Sequence, residues 1–315
     1  MSVVSIKKES LKAMTQVPKT TASKITAAND GLEVVPPIIV AEVRTKNAPA
    51  VAKTANAMNP KAKAFFQWLI PPLFGLGLLL AIWALISSQT QGFPGPIKTW
   101  LSAVDLFAHP FYVNGPNDVG IGWNILNSLK RVSIGFGMAA LVGIPLGFMI
   151  GRFEFLNRMT APVISLLRPV SPLAWLPIGL LVFKAANPAA IWVIFISAIW
   201  PMIINTAVGV SKVPQDYMNV AKVLNLSEWK IVTKILFPSV LPYMLSGIRL
   251  SIGVAWLVIV AAEMLTGGVG IGFWVWDEWN NLNVEHIIIA IFVVGIVGLL
   301  LEQALILIAK RFSYE

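Results

Sequence analysis

The sequence contains no cysteine, only two histidines and few charges for its length. Without cysteine there are no disulfides, no thiolate catalysis and no Cys-ligated metal. His109 and His286 are far apart, and each falls at the edge of an apolar run, so they lack the clustering that a metal site needs. Charged residues make up 12% of the 315 positions, against about 25% in an ordinary water-soluble domain. Apolar residues make up 57%, and mean hydropathy is +0.75. A surface so short of charge has to face hydrocarbon, which makes this a polytopic membrane protein.

Several chemical motifs are missing too. No G-x-x-x-x-G-K-[ST] occurs, so the chain has no P-loop for a nucleoside triphosphate. Neither H-E-x-x-H nor G-x-S-x-G is found, and no carboxylate pair lies within an apolar run, leaving intramembrane hydrolysis without candidate residues. The stretch GGVGIGFW at 267–274 has Gly268 and Gly270, but Phe273 stands where a dinucleotide fingerprint needs its third glycine, and no strand precedes it.

Six apolar runs are present, at about 65–88, 123–150, 161–184, 188–211, 239–263 and 286–309. Each exceeds the ~20 residues that a helix needs to cross ~30 Å of hydrocarbon. Before them, residues 1–63 form a basic segment without helical or strand periodicity, holding ten of the 24 lysines and arginines. It reads as a flexible cytoplasmic tail. It has no apolar h-region, so the first run reads as an uncleaved helix rather than a signal peptide. Residues 64–315 then form one six-span domain. Alternating the spans from a cytoplasmic N-terminus places Arg152, Arg158, Lys212, Lys222, Lys230, Lys234, Lys310 and Arg311 inside. Lys98 and Lys184 fall outside, with Lys130 and Arg131 just within a helix. The bias predicts both termini in the cytoplasm.

The first external loop carries Ile97, Trp100, Leu101, Val104 and Phe107 at helical spacing, which suits a short helix in the membrane interface or one packed on neighbouring helix ends. In the second run, Gly135, Ala139, Gly143, Gly147 and Gly151 recur every four residues, a face for close helix packing or for lining a pore. Ionisable groups deep within the runs are Arg168, Arg249 and Glu302. Each arginine either snorkels to headgroups and free carbonyls near a proline or lines an anion path. Trp175, in the same SLLRPVSPLAWLP stretch as the first arginine, joins them as a path or gate candidate. Glu302, beside Gln303, reads as a helix–helix polar contact or, less simply, a proton relay. External Trp274, Trp276, Asp277 and Glu278 belong either to an aromatic belt or to a glycine-hinged loop that enters the bundle or docks an external protein.

Between the fourth and fifth runs, residues 212–238 are polar and helix-forming. Pro214 suits a first helical position and Asp216 the first-turn dipole, while Val220, Ala221 and Leu224 make an apolar edge. Asn225 is placed to end that helix in left-handed conformation, and Ser227 to cap the next, which runs to Pro238. This segment resembles the cytoplasmic loop of ATP-binding-cassette importer permeases, EAA-x3-G-x9-I-x-LP, with Asn219, Val220 and Ala221, then Asn225, then Ile235 and Pro238 at matching spacing. Glu, the first Ala, Gly and Leu are replaced. Over residues 65–312 the chain is similar to the nitrate, sulfonate, taurine and bicarbonate branch, above all in LTGGVGIGFWVWDEWNNLNV.

That resemblance implies an all-α type I importer permease with six transmembrane helices and a coupling helix, which is not itself an enzyme. It implies a homodimer, two cytoplasmic ATPases that carry ATP and Mg, an external lipoprotein binding protein, and no nucleic acid. The cargo it implies is a small anion, nitrate or nitrite first, with bicarbonate or organosulfonate as alternatives. Rival classes are a secondary anion transporter or channel, and a non-transporting scaffold that works through its basic tail.

Overall fold

The computed structural model describes residues 60–312, so most of the basic tail lies outside the described residues. Eleven α-helices follow in order: α1 (Pro60–Gln89), α2 (Pro96–Ala108), α3 (Ile121–Arg152), α4 (Glu154–Leu167), α5 (Leu176–Phe183), α6 (Ala186–Ser211), α7 (Gln215–Val223), α8 (Glu228–Ile231), α9 (Phe237–Thr266), α10 (Ile271–Asn280) and α11 (Val284–Phe312). A 3-10 turn, Pro172–Trp175, precedes α5, and a wider π turn, Val232–Leu236, precedes α9. No named strand occurs among the described residues.

Glycines bring α3, α6 and α9 together. A β-carbon on Gly135 would meet Ile194, one on Gly147 would meet Ile203 and Thr206, and one on Gly151 would meet Ala207 and Val210. The four-residue stripe is therefore a packing face, and the pore-lining alternative falls. Residue numbers rise together along the two helices, so α3 and α6 are parallel. On the other side of α6 the order reverses: Gly209 meets Val240 and Tyr243, Gly247 meets Asn205, and Ser251 Oγ donates to the Ala198 carbonyl at 2.7 Å. Thus α9 is antiparallel to α6. Val132, Ala139, Ile194, Ala198, Met202 and Ile259 fill the core between them.

Parallel α3 and α6 constrain what lies between them. The chain leaves α3 at one face and must enter α6 at the other, so residues 153–185 have to return across the full thickness. They do so as a broken span, with Glu154–Leu167 and Pro172–Phe183 bent by 96°. A single straight span was expected at 161–184. Pro169 and Pro172 lack the N–H groups that a continuous helix would use there, and the turn forms in their place.

At the face where α3 begins, α2 turns Thr99, Ala103 and Leu106 inward and leaves its predicted stripe of Ile97, Trp100 and Leu101 exposed. The stripe therefore does not pack within the chain, which leaves the interfacial arrangement. Lys98 pairs with Glu285 at the start of α11. The first span, α1, lies against α11 where Trp83 meets Phe292 at 5.9 Å, and Leu73, Phe74, Leu76, Leu78 and Leu85 on it are exposed.

The glycine contacts predict an asymmetry along α3. Gly147→Ala would place a β-carbon 2.6 Å from Thr206 Cβ and 2.8 Å from the Ile203 carbonyl oxygen, at a cost of about 1–3 kcal/mol. Gly137 has nothing within 4 Å of that position, so Gly137→Ala should be neutral or slightly stabilising. Thermal melting of the detergent-solubilised protein should separate the two variants.

Candidate functional site

The polar segment forms a compact corner at the face opposite α10. Pro214 precedes the first helical residue rather than occupying it, and α7 begins at Gln215. The helix ends as its side chains dictate. Asn225 has φ +51°, the Leu226 N–H donates to the Ala221 carbonyl at 3.0 Å, and the Asn225 N–H donates to the Lys222 carbonyl at 3.0 Å. These two bonds make a Schellman motif, in which Asn supplies the left-handed residue more usually given by Gly. Ser227 precedes α8 in extended conformation, but its hydroxyl makes no capping bond, contrary to the sequence expectation. Nor does Pro238 end the following helix. Helical structure runs on from Glu228 to Thr266, and the π turn absorbs the N–H that Pro238 does not supply to the carbonyl four residues earlier.

The corner has its own small core of Val210, Met218, Ala221, Ile231, Leu236 and Val240, with Ile235 packed beside it. Ala221 is fully buried. It was expected on a docking edge, but it lies on the inner side of α7, within this core. The free face of α7 is instead Tyr217, Val220, Val223 and Leu224, with Asn219 exposed beside them; Val223 is 86% exposed. Trp229 on α8 is exposed next to it, and Arg152 at the end of α3 ties α8 down through Glu228 at 3.1 Å. Large apolar side chains thus stand on a polar segment clear of the bundle, as on a protein-docking surface.

Arg168 lies at the break of the bent span, as the cap of α4. It lines a cavity of about 310 Å³ with Ser197, Trp200, Asn205 and Leu250, and it has no ion pair or side-chain hydrogen bond among the described residues. Arg249 opens into a different groove, of about 640 Å³ between α9 and α11, with Glu302, Gly253 and Gly295. Leu250 and Val254 line both spaces and form the ridge between them. The two arginines are therefore not gathered into one pocket within the chain. Glu302 faces this groove and makes no hydrogen bond or ion pair among the described residues, rather than bridging helices. Trp175 is half-buried in the 3-10 turn, and its indole N–H is buried without an acceptor among the described residues.

At the α10 face, the four tryptophan-segment candidates divide. Trp274 is buried and stacks on His286 at 5.7 Å, and Glu278 lies 3.1 Å from the same imidazole. Both face α11 and help to secure α10 to it, rather than standing on the outer surface. Trp276 and Asp277 are exposed, as is Trp279.

One buried group escaped the sequence reading. Glu263, near the end of α9, is fully buried. It accepts hydrogen bonds from Ser128 Oγ at 2.7 Å, the Gly272 N–H at 3.0 Å and Arg131 Nη1 at 2.6 Å. Its signal in the sequence was a carboxylate closing an apolar run, opposite Asn124, Ser128 and Arg131 at helical spacing on α3.

Residues 143–314 match the family model described as the binding-protein-dependent transport system inner membrane component. The chain belongs to that family. It is an ABC importer permease, a multi-pass membrane protein that forms the membrane subunit of an importer. Among its relatives, the nitrate import permease protein NrtB of Synechocystis sp. is 47% identical over 78% of this chain and 90% of its own length. The NrtB of Leptolyngbya laminosa is 48% identical over 83% and 90%. The bicarbonate transport system permease protein CmpB of Synechocystis sp. is 45% identical over 78% and 89%. A chain from an inward-facing MetNI methionine ABC transporter superposes with a TM-score of 0.54 over 61% of this permease and 95% of itself. At 13% identity, that likeness concerns the fold, which is the type I importer fold.

The geometry of Asn225 predicts how the corner responds to substitution. Asn225→Gly should be tolerated, whereas Asn225→Val would force a β-branched residue into left-handed conformation, at about 1–2 kcal/mol. Faster tryptic cleavage at the exposed Lys222 and Lys230 should report the second change and spare the first.

Proposed function

We propose that this permease moves a small planar inorganic anion, nitrate or nitrite, inward across the plasma membrane by alternating access. The observation that carries the substrate is the 45–48% identity to three NrtB nitrate permeases, each covered over at least 90% of its length. A taurine permease, TauC of Escherichia coli, is more distant at 29%. Bicarbonate is the second reading, since the CmpB relatives stand at 44–45%.

In this reading two copies of the chain form the pathway, and two ATPase subunits bind ATP and Mg on the cytoplasmic side. An external lipoprotein delivers the anion. The α7 face is cytoplasmic, as are both termini, in keeping with the excess of lysine and arginine there. Residues 1–63 are a tail that uptake does not require, and 64–315 form the permease domain. Tyr217, Val220, Val223 and Leu224 dock the ATPase, and Ala221, Asn225, Ile235 and Pro238 hold that surface in shape. Arg168 offers the passing anion an uncompensated guanidinium at the broken span, where a fixed positive charge most lowers the cost of an anion at membrane depth. Arg249 is a weaker second contact because Glu302 shares its groove. Closure of the ATPases on ATP displaces α7 and rocks the bundles outward.

Uptake decides the substrate. In cells lacking their own permease subunit, this chain with its partner subunits should restore accumulation of labelled nitrate, undiminished by excess bicarbonate. Restoration of bicarbonate uptake alone overturns the nitrate reading, and transport by the purified chain alone in liposomes would make it a secondary carrier or channel.

Two substitutions test the assigned surfaces. Leu224→Asp should weaken co-purification of the ATPase roughly 10-fold or more, as for a central apolar contact, and leave the melting of the permease unchanged. Arg168→Gln should keep assembly and reduce transport by about 10- to 100-fold, the value of one charge-assisted hydrogen bond of ~1.5–3 kcal/mol.

A further inference from the structure

Three successive amides at the start of α10, that of the preceding Gly270 and the first two of the helix, are each satisfied by a side chain from another helix. Gly270 N–H donates to Asn124 Oδ1 at 2.9 Å, Ile271 N–H to Ser128 Oγ at 2.9 Å and Gly272 N–H to Glu263 Oε2 at 3.0 Å. A helix normally caps these groups with its own preceding residues. Here α3 and α9 supply the cap, so the position of α10 is set by theirs.

The glycines around this cap explain GGVGIGFW. A β-carbon on Gly270 would fall inside the Glu263 carboxylate, and one on Gly272 inside the Val260 carbonyl. Upstream, Gly267 and Gly268 have φ +75° and +88°. A turn of this composition bends easily and transmits little force by itself. The carboxylate cluster bypasses that turn and joins α10 directly to the bundle. Arg131 extends the joint by giving Nη1 to Glu263 at 2.6 Å and Nε to Asn187 Oδ1, at the start of α6, at 2.8 Å. The ends of α3, α6, α9 and α10 therefore meet on one buried charge pair. The other half of α10 is anchored separately to α11 through Glu278, Trp274 and His286.

We infer that Glu263, with Ser128 and Arg131, is a positioning residue for transport, making α10 part of the α3–α6–α9 block so that displacement of α7 at the opposite face reaches the surface that carries Trp276, Asp277 and Trp279. This role rests on the importer reading above. The close-packed α6 and α9 act as the rod between the two faces, because interlocked glycine contacts do not slide continuously. Without the carboxylate, α10 tilts about its α11 anchor instead of following the block.

The cysteine-free sequence makes the test direct. Asn280 is exposed on α10, and Asn280→Cys gives one spin label per chain in the reconstituted complex with its ATPases. With ATP and vanadate, the label-to-label distance between the two copies should shift from its nucleotide-free value. Adding Glu263→Gln should abolish that shift and lower stimulation of ATP hydrolysis by nitrate-loaded binding protein at least 10-fold, with basal hydrolysis and ATPase co-purification unchanged. A purely structural role would instead depress basal hydrolysis and co-purification together, and that result overturns the inference. So does a normal shift with normal stimulation. Should Glu263→Gln not assemble, Ser128→Ala, which removes one neutral partner of the carboxylate and the acceptor for Ile271, is read by the same criteria, and unchanged behaviour there overturns the inference. If the unsubstituted complex shows neither a nucleotide-dependent shift nor stimulation, the importer reading itself fails, and this role with it.

Discussion

Close contact between α3 and α6, made through glycine, is the constraint on which the rest of this permease depends. Gly135, Gly147 and Gly151 leave no room for side chains against Ile194, Thr206 and Val210. In lipid there is little hydrophobic drive between helices, so such contact must come from dispersion and from small residues that let backbones approach. Because the contact is parallel, the chain between the two helices has to recross the membrane. The return span follows from that requirement, and Pro169 and Pro172 break it beside Arg168.

Charges in the bundle obey a second constraint, that an ion at membrane depth needs a partner or water. Glu263 and Arg131 meet it completely, with each other and with Ser128, Asn187 and a backbone amide. Arg168 does not. It faces a cavity without a carboxylate among its lining residues, which is why it is the group assigned to the anion. Arg249 lies between these cases, sharing a groove with Glu302 and bonding to nothing among the described residues. The same residue types are therefore paired and buried, unpaired on a cavity, or unpaired beside a carboxylate, according to their surroundings.

Local signals were legible where local physics decides. The left-handed Asn225 and the stripes on α3 and α2 could be placed from spacing, because each depends on residues within a turn or two, although what the two stripes face could not. Ala221 shows the limit of that reasoning. Spacing put it on the apolar edge of α7 but not on its inner side, since that side is chosen by a core shared with Leu236 of the π turn and Val240 of α9. Whether Trp274 and Glu278 faced outward or entered the bundle stayed open for the same reason, because the position of His286 on α11 decides it. Glu263 could not be given a role because its partners on α3 lie more than 130 positions away.

By itself the sequence determined a membrane protein of six apolar runs, without catalytic or nucleotide-binding motifs, and with a polar corner whose spacing matches an importer permease. Hydrocarbon thickness and helix rise fix these features over about twenty residues at a time, so no long-range contact is needed to see them. Only the tertiary structure decided that one run is broken, that the two arginines face different spaces, and that α10 hangs on a buried carboxylate. Those outcomes depend on which helices lie side by side and in which direction, and that is set by close packing between residues far apart in the chain.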